Sequence, residues 1–153
     1  MAPRRLTFGW LEPEELQADP ELDEVIAAQY HEFGDLEPTP DWDRMQAACR
    51  AGFFKVWAAK DDGRVVGWIE FNIGEHYHYA GTKFAWDAGS YCLEAYRPWV
   101  LIKLWRGALS ALQSLEVRKA FAHENRRHPI GPVYRRLGFE PWGGMYAIRL
   151  PSP

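Results

Sequence analysis

Two stretches in the first third of the chain share one arrangement of apolar, polar and helix-punctuating positions. "ADPELDEVIAAQYHEFG" sets Asp19 as N-cap, Pro20 at the first helical position, acids in the first turn and Gly34 as a stop. "PTPDWDRMQAACRAG" repeats the device with Thr39, Pro40, Asp41 and Gly52. The apolar period then shortens from about four to two. "FFKVWAAK" and "VVGWIEFNI" read as two strands joined by a tight turn at Asp61-Asp62-Gly63. In the second of them Val65, Ile69, Phe71 and Ile73 form the apolar run, with Glu70 and Asn72 directed the other way. After the polar, aromatic loop "GEHYHYAG", residues 82–95 read as a third strand, in which Gly89 suggests a bulge.

The helical period returns from about Trp99 to Leu115. Leu101, Leu104, Trp105, Ala108, Leu109, Leu112 and Leu115 make one stripe. "EVRKAFAH" is a short strand, "HPIGPVYRRLG" a compact helix ending at Gly138, and "FEPWGGMYAIRL" a closing strand with a Gly-Gly kink. The order helix, helix, three strands, long helix, strand, short helix, strand predicts one mixed α/β domain over residues 1–153. Neighbouring strands pair antiparallel, and the strand-helix-strand crossover brings in parallel pairing. The expected architecture is a mixed, mostly antiparallel central sheet flanked by about four helices.

Composition narrows the function classes. The formal net charge of -3 offers no global attraction to nucleic acid. Cys49 and Cys92 match no metal-finger spacing, and His76 and His78 in "EHYHY" have no evident third ligand, so no metal is expected. The N-terminus is not signal-like and Lys103 interrupts "WVLIKLW", which points to a cytoplasmic protein without a membrane span. The eight tryptophans suit core packing first, but leave room for a partner surface, a homodimer among the choices.

Two stretches, taken with the element order, resemble the GCN5-related N-acetyltransferase superfamily, the GNAT fold. "YRRLGFE", residues 134–140, is similar to the family's Tyr-x-x-x-Gly-Phe segment. "CLEAYRPWVLIKLWRGAL", residues 92–109, stands where the family has a strand, a few polar residues and then Arg-x-x-Gly-x-Gly opening a helix. The resemblance spans roughly residues 53–150 and is nearest to small acetyltransferase-like proteins of phage genomes. It implies acetyl-CoA as cosubstrate and a small-molecule or peptide amine as acceptor. Arg97 matches the family's arginine, and Arg97, Pro98, Trp99, Val100, Leu101 and Ile102 would form the pyrophosphate turn. There, unpaired N–H groups of a helix start bind phosphate. The two glycine positions read Val100 and Ile102, with no glycine between Gly89 and Gly107, so the loop departs from its family.

The same resemblance puts the thioester near Tyr91, Cys92 and Leu93, where a backbone N–H polarises its carbonyl. Tyr134 matches the general acid, a phenol able to protonate a departing thiolate. An Asn often stands seven residues before that tyrosine; here the position is Arg127, with Asn125 nearby. For the base, Asp87 is the first candidate and Glu70 the other, the latter read more readily as a solvated or salt-bridged face residue. Cys92 has the chemistry of an acyl acceptor, but a strand cysteine suits a core. Two rival classes stay open. One is a non-catalytic member of the fold used for ligand or partner binding. The other is a nucleobase or nucleic-acid modifier, supported by Arg126, Arg127, Arg135, Arg136 and the aromatic loop.

Overall fold

The computed structural model describes residues 5–18, 20–33, 38–124 and 129–143. They fall into two compact units, Met1–Ala122 and His123–Pro153. The first unit holds one five-stranded sheet in the order β1-β2-β3-β4-β5. Its strands are β1 (Leu6–Trp10), β2 (Phe54–Asp61), β3 (Arg64–Glu75), β4 (Lys83–Cys92) and β5 (Val117–Phe121). The first four pair antiparallel, and β4 pairs β5 in parallel. The mixed, mostly antiparallel sheet expected from the sequence is therefore present.

Helices α1 (Glu15–Ala18), α2 (Pro20–Phe33) and α3 (Trp42–Arg50) precede the main sheet strands, and α4 (Trp99–Ser114) connects β4 to β5. Leu16, Leu22, Val25, Ile26 and Cys49 from the first three pack with Val56, Ala58, Trp68 and Tyr91 of the sheet in one apolar cluster. Helix α4 buries the stripe that its period announces, with Leu104, Trp105, Ala108 and Leu112 at most 2% exposed. Trp105 meets Phe71 of β3 edge-on at 5.8 Å between ring centroids. A Cβ on Gly107 would stand 2.9 Å from the Trp57 ring, so the glycine is what lets α4 lie that near β2.

The β2–β3 turn forms as the Asp-Asp-Gly sequence demands. Asp61 pairs Arg64 across a two-residue loop whose Asp62 and Gly63 both have positive φ, the geometry matched to strand twist. Helix α3 ends in a Schellman arrangement, with Gly52 at φ +81 and Phe53 N–H donating to the Ala48 carbonyl. Its start differs from expectation: Asp41, not Thr39, is the N-cap, and its carboxylate accepts the Arg44 N–H at 3.0 Å. The helix begins at Trp42, and only a side chain immediately before it reaches that N–H.

Strand β1 and the single turn α1 have no counterpart in the sequence reading. "LTFGW" is short and carries no clear alternation; it becomes a strand because β2 offers it a hydrogen-bonding edge. The third strand is also shorter than residues 82–95, ending at Cys92, and Glu94–Tyr96 form a 3-10 turn. The bulge is present, since Glu70 pairs Gly89 while Phe71 pairs Asp87, leaving Ala88 as the extra residue. In the second unit α5 (Gly131–Arg136) matches the expected compact helix. Asp19, Gly34, Asn125, Arg126, Arg127 and the closing strand from residue 144 onward lie outside the described residues.

Candidate functional site

The two edges of β4 behave differently along its length. With β3 it stays paired as far as Gly67↔Cys92, but with β5 the register stops at Trp86↔Phe121. Leu93 N–H donates to the Val66 carbonyl at 2.9 Å. By the alternation of an antiparallel strand, the backbone groups of Cys92 then face the opposite edge, beyond the end of the β5 pairing. A row of peptide groups at the C-terminal end of a strand is thereby set beside the start of a helix.

That helix, α4, opens after Pro98. Its first internal hydrogen bond runs from Ile102 N–H to the Pro98 carbonyl at 3.1 Å. The N–H groups of Trp99, Val100 and Leu101 precede it and have no intrahelical acceptor, which is the usual condition of a helix start. Val100, Leu101 and Ile102 are buried, whereas Trp99 is 72% exposed. The bulky side chains of Val100 and Ile102 are thus taken up by the packed interior. A helix start with three N–H groups lacking an intrahelical acceptor, beside a strand end, is an arrangement able to receive an anionic group.

Arg97 is held by three partners. Its Nε donates to the Cys92 carbonyl at 2.6 Å, its Nη2 bonds the Glu32 carboxylate at 3.1 Å, and its guanidinium lies 5.0 Å from the Tyr91 ring centroid. Tyr91 completes the network by donating its hydroxyl to Glu32 Oε1 at 2.9 Å, and burial followed by that bond pushes its phenol up to about 12. Helix α2 is therefore tied to the β4–α4 connection through Glu32. Tyr96 secures the same connection to the β2–β3 turn, its hydroxyl 2.8 Å from Asp61 Oδ2. Cys92 is 2% exposed, and burial raises its thiol to about 11, the reverse of what an acyl-accepting thiolate requires.

The carboxylates lie on either side of the bulge. Asp87 pairs Phe71 and Glu70 pairs Gly89. A Cβ on Gly89 would stand 3.2 Å from Gln29 Nε2 and 3.4 Å from Glu70 Oε2, so the glycine makes the space that these two side chains use. Burial, then the charge of Asp87, raises the Glu70 carboxyl to about 7. Glu70, expected from the sequence as a solvated or salt-bridged face residue, is half-buried, and its carboxyl titrates near neutral pH. The one signal for this in the sequence was a carboxylate in an apolar strand opposite a glycine-bearing one.

Next to Glu70 on the same sheet face, Trp86 pairs Asn72 and stacks on Phe121 with an interplanar angle of 8° and 6.0 Å between centroids. Phe84 adjoins both rings. In the "EHYHY" loop His76 and His78 lie near each other, and Tyr77 is fully exposed. Among the described residues no group of three His, Cys, Asp or Glu side chains is placed to hold a metal ion. No helix among them is long and apolar enough to cross a membrane.

Within the second unit, the Tyr134 hydroxyl donates to the His123 carbonyl at 3.1 Å, and its ring lies 5.3 Å from that of Phe139. Gly131 N–H donates to the Glu124 carboxylate, which secures the start of α5. Arg135 and Arg136 are exposed in its last turn.

The sequence matches no protein-family model and no curated protein. Solved structures share the fold. An aminoglycoside acetyltransferase from an uncultured soil metagenomic sample, in complex with sisomicin, superposes with a TM-score of 0.76 at 15% identity, covering 95% of this chain and 97% of that one. AAC(6')-Iy in complex with the bisubstrate analogue CoA-S-monomethyl-acetylneamine gives 0.70 at 14%, covering 97% and 99%. A predicted acetyltransferase from Clostridium acetobutylicum, with acetyl-CoA, gives 0.68 at 10%, covering 95% and 96%. The fold is that of the GNAT acetyltransferases.

Proposed function

We propose that this protein is an acetyl-CoA-dependent N-acetyltransferase whose acceptor is a primary amine, attacked on directly without an acyl-enzyme. The observation that carries the reading is the end of β4. A strand end beyond the described β5 register, three N–H groups that precede the first internal bond of α4 and a carboxyl group with pKa about 7 lie within one connection and its neighbouring strand. Fold likeness to acetyltransferases, two of them solved with coenzyme A derivatives, supports the same class.

In this reading the backbone of Tyr91, Cys92 and Leu93 receives the thioester, and the turn Arg97–Ile102 receives the pyrophosphate. Glu70 takes a proton from the ammonium, and the neutral nitrogen adds to the carbonyl carbon. The carbon–sulfur bond then breaks, Tyr134 supplies a proton to the thiolate, and the second proton lost by the nitrogen restores the phenol. Asp87, the first-ranked base from sequence, acts here by its charge, which keeps Glu70 basic enough to accept a proton near neutrality. The high pKa and burial of Cys92 favour direct attack over a covalent relay.

A second reading, a non-catalytic ligand-binding protein, draws on one observation: the Arg97 guanidinium is already paired with Glu32. Calorimetric titration with acetyl-CoA, alongside free CoA, separates the two. Micromolar binding, followed by turnover with an amine and a fall in turnover in Tyr134→Phe, supports the enzyme. No binding at millimolar ligand by a folded sample sinks it.

A further inference from the structure

Helix α2 changes character along the face it turns to the sheet. Leu22, Val25 and Ile26 are buried there, in the apolar cluster with Trp68 and Tyr91. One turn further on, the same stripe continues with Gln29 and then Glu32, both half-buried. Glu32 is engaged by Arg97 and Tyr91. Gln29 is different: among the described residues its amide has no hydrogen-bonding partner. Packing alone would be served by a leucine or methionine, which a helix accepts equally well.

The sheet beneath changes in the same direction. Paired residues of antiparallel strands share a face, so the rung of Trp68 and Tyr91 is followed by that of Glu70 and Gly89. Trp68 is 1% and Tyr91 4% exposed, whereas Glu70 is half-buried and Asn72, next along β3 on that face, is exposed. Among the described residues, cover thins from Trp68 to Asn72, and the Glu70 rung is where it gives out.

Gln29 and Glu70 converge on that rung. A Cβ on Gly89 would stand 3.2 Å from Gln29 Nε2 and 3.4 Å from Glu70 Oε2. With no side chain on Gly89, a donor from the helix and an acceptor from the strand face one small space, and no hydrogen bond joins them. A half-buried donor and acceptor left unpaired are unfavourable, and a ligand that matches both offsets this. The pair also has a polarity, since the carboxylate accepts and the amide nitrogen donates. A plain alkylamine serves only the first. An amine with a hydroxyl or carbonyl oxygen on the adjacent carbon serves both, because its nitrogen and oxygen can lie side by side.

We propose that Gln29 selects the acceptor: its amide donates to an oxygen on the carbon next to the amine-bearing one, while the amine nitrogen lies at Glu70. The inference rests on the acetyltransferase reading and adds to it a second contact that orients the substrate. That contact fixes rotation about the carbon–nitrogen bond, so the lone pair uncovered at Glu70 keeps one direction.

The test is steady-state turnover by the full chain with acetyl-CoA and ethanolamine, glycinamide or n-propylamine, in the parent and in Gln29→Met. Methionine keeps the length and helix preference of glutamine and lacks the donor. Comparing variant with parent for each amine cancels the differing basicities of the three. kcat/KM for an oxygen-bearing amine should fall about fivefold more than that for n-propylamine, the worth of one neutral hydrogen bond. A selective fall with ethanolamine assigns a hydroxyl, and one with glycinamide a carbonyl. Equal falls for all three amines, or no fall, overturn the proposal. Calorimetric titration with acetyl-CoA separates the remaining failures. Coenzyme binding without turnover of either oxygen-bearing amine overturns the acceptor class alone, while absent coenzyme binding removes the acetyltransferase reading as well.

Discussion

The two halves of strand β4 differ more from each other than from the strands beside them. Lys83 to Trp86 are paired on both edges, to β3 and to β5, and their side chains Phe84 and Trp86 join Phe121 in an aromatic wall. Asp87 to Cys92 are paired to β3, beyond the end of the β5 register, and begin with a bulge. In the first half the backbone is consumed by the sheet and only side chains can contact a ligand. In the second one backbone edge lies beyond the β5 register, with the Cys92 carbonyl taken by Arg97, and the side chains hold the chain in place: Gly89 yields space, Tyr91 bonds Glu32, and Cys92 is buried. In the proposed function, the coenzyme would use the second half and the amine its junction with the first, both on a single strand. Glu70 pairs with the residue just past the bulge, where the two kinds of surface meet.

That division can be tested at its centre first. Glu70→Gln removes the group that joins the halves, and turnover should fall by about 10²-fold or more. With Glu70 as the proposed base, active when deprotonated, the rate of the unaltered protein should rise with pH through about 7; the variant should lose this limb. A pH–rate profile unchanged by the substitution would move the base elsewhere, with Asp87 next in line. Gly89→Val places methyl groups where Gln29 and Glu70 already stand, and should lower kcat/KM on the order of tenfold. Its acetyl-CoA affinity should remain near that of the parent, because the start of α4 is untouched; a parallel loss of coenzyme binding would show that the halves are not separable.

On the other side of the comparison, Arg97→Ala should weaken acetyl-CoA by about tenfold while leaving the pH profile in place. It also strips Glu32 of its cation, at a cost of about 1–2 kcal/mol, seen as a melting temperature lower by roughly 2–8 °C. Thermal unfolding and coenzyme titration on one sample would measure both. The smallest effect belongs to Cys92→Ala, with turnover within about twofold of the parent. Mass spectrometry after acetyl-CoA incubation should find no acetyl group on Cys92; an adduct that forms and decays with turnover would refute direct attack.

Much of this arrangement is legible in the sequence because its signals are local. A stripe from Leu101 to Leu112 needs only the 3.6-residue period, and Asp62-Gly63 carries its own turn geometry. Gly89 announced a bulge for the same reason. The features that differ from expectation depend on distant partners. Strand β1 exists because β2 has an edge to offer, and the α3 cap moved from Thr39 to Asp41 once packing chose where the helix begins. Glu70 looked like a surface carboxylate, since no neighbour in the chain reveals the burial that raises its pKa or the Asp87 charge that adds to it. Arg97 was read toward phosphate, and nothing in "YRPW" points to Glu32, 65 residues away on α2.

Local pattern fixes the kinds and order of most elements, and the chain holds the residues from which the proposed thioester site is built. Periodicity, turn residues and helix punctuation are properties of a few consecutive positions, so they survive without a fold. Only the tertiary structure decided which of those residues act together. The end of the β4–β5 pairing, the space above Gly89, the acidity of Glu70 and the clasp of Arg97 by Glu32 all arise between chain segments far apart in sequence. Burial and Coulomb interaction depend on distance through space, and that distance is set when the sheet closes around its helices.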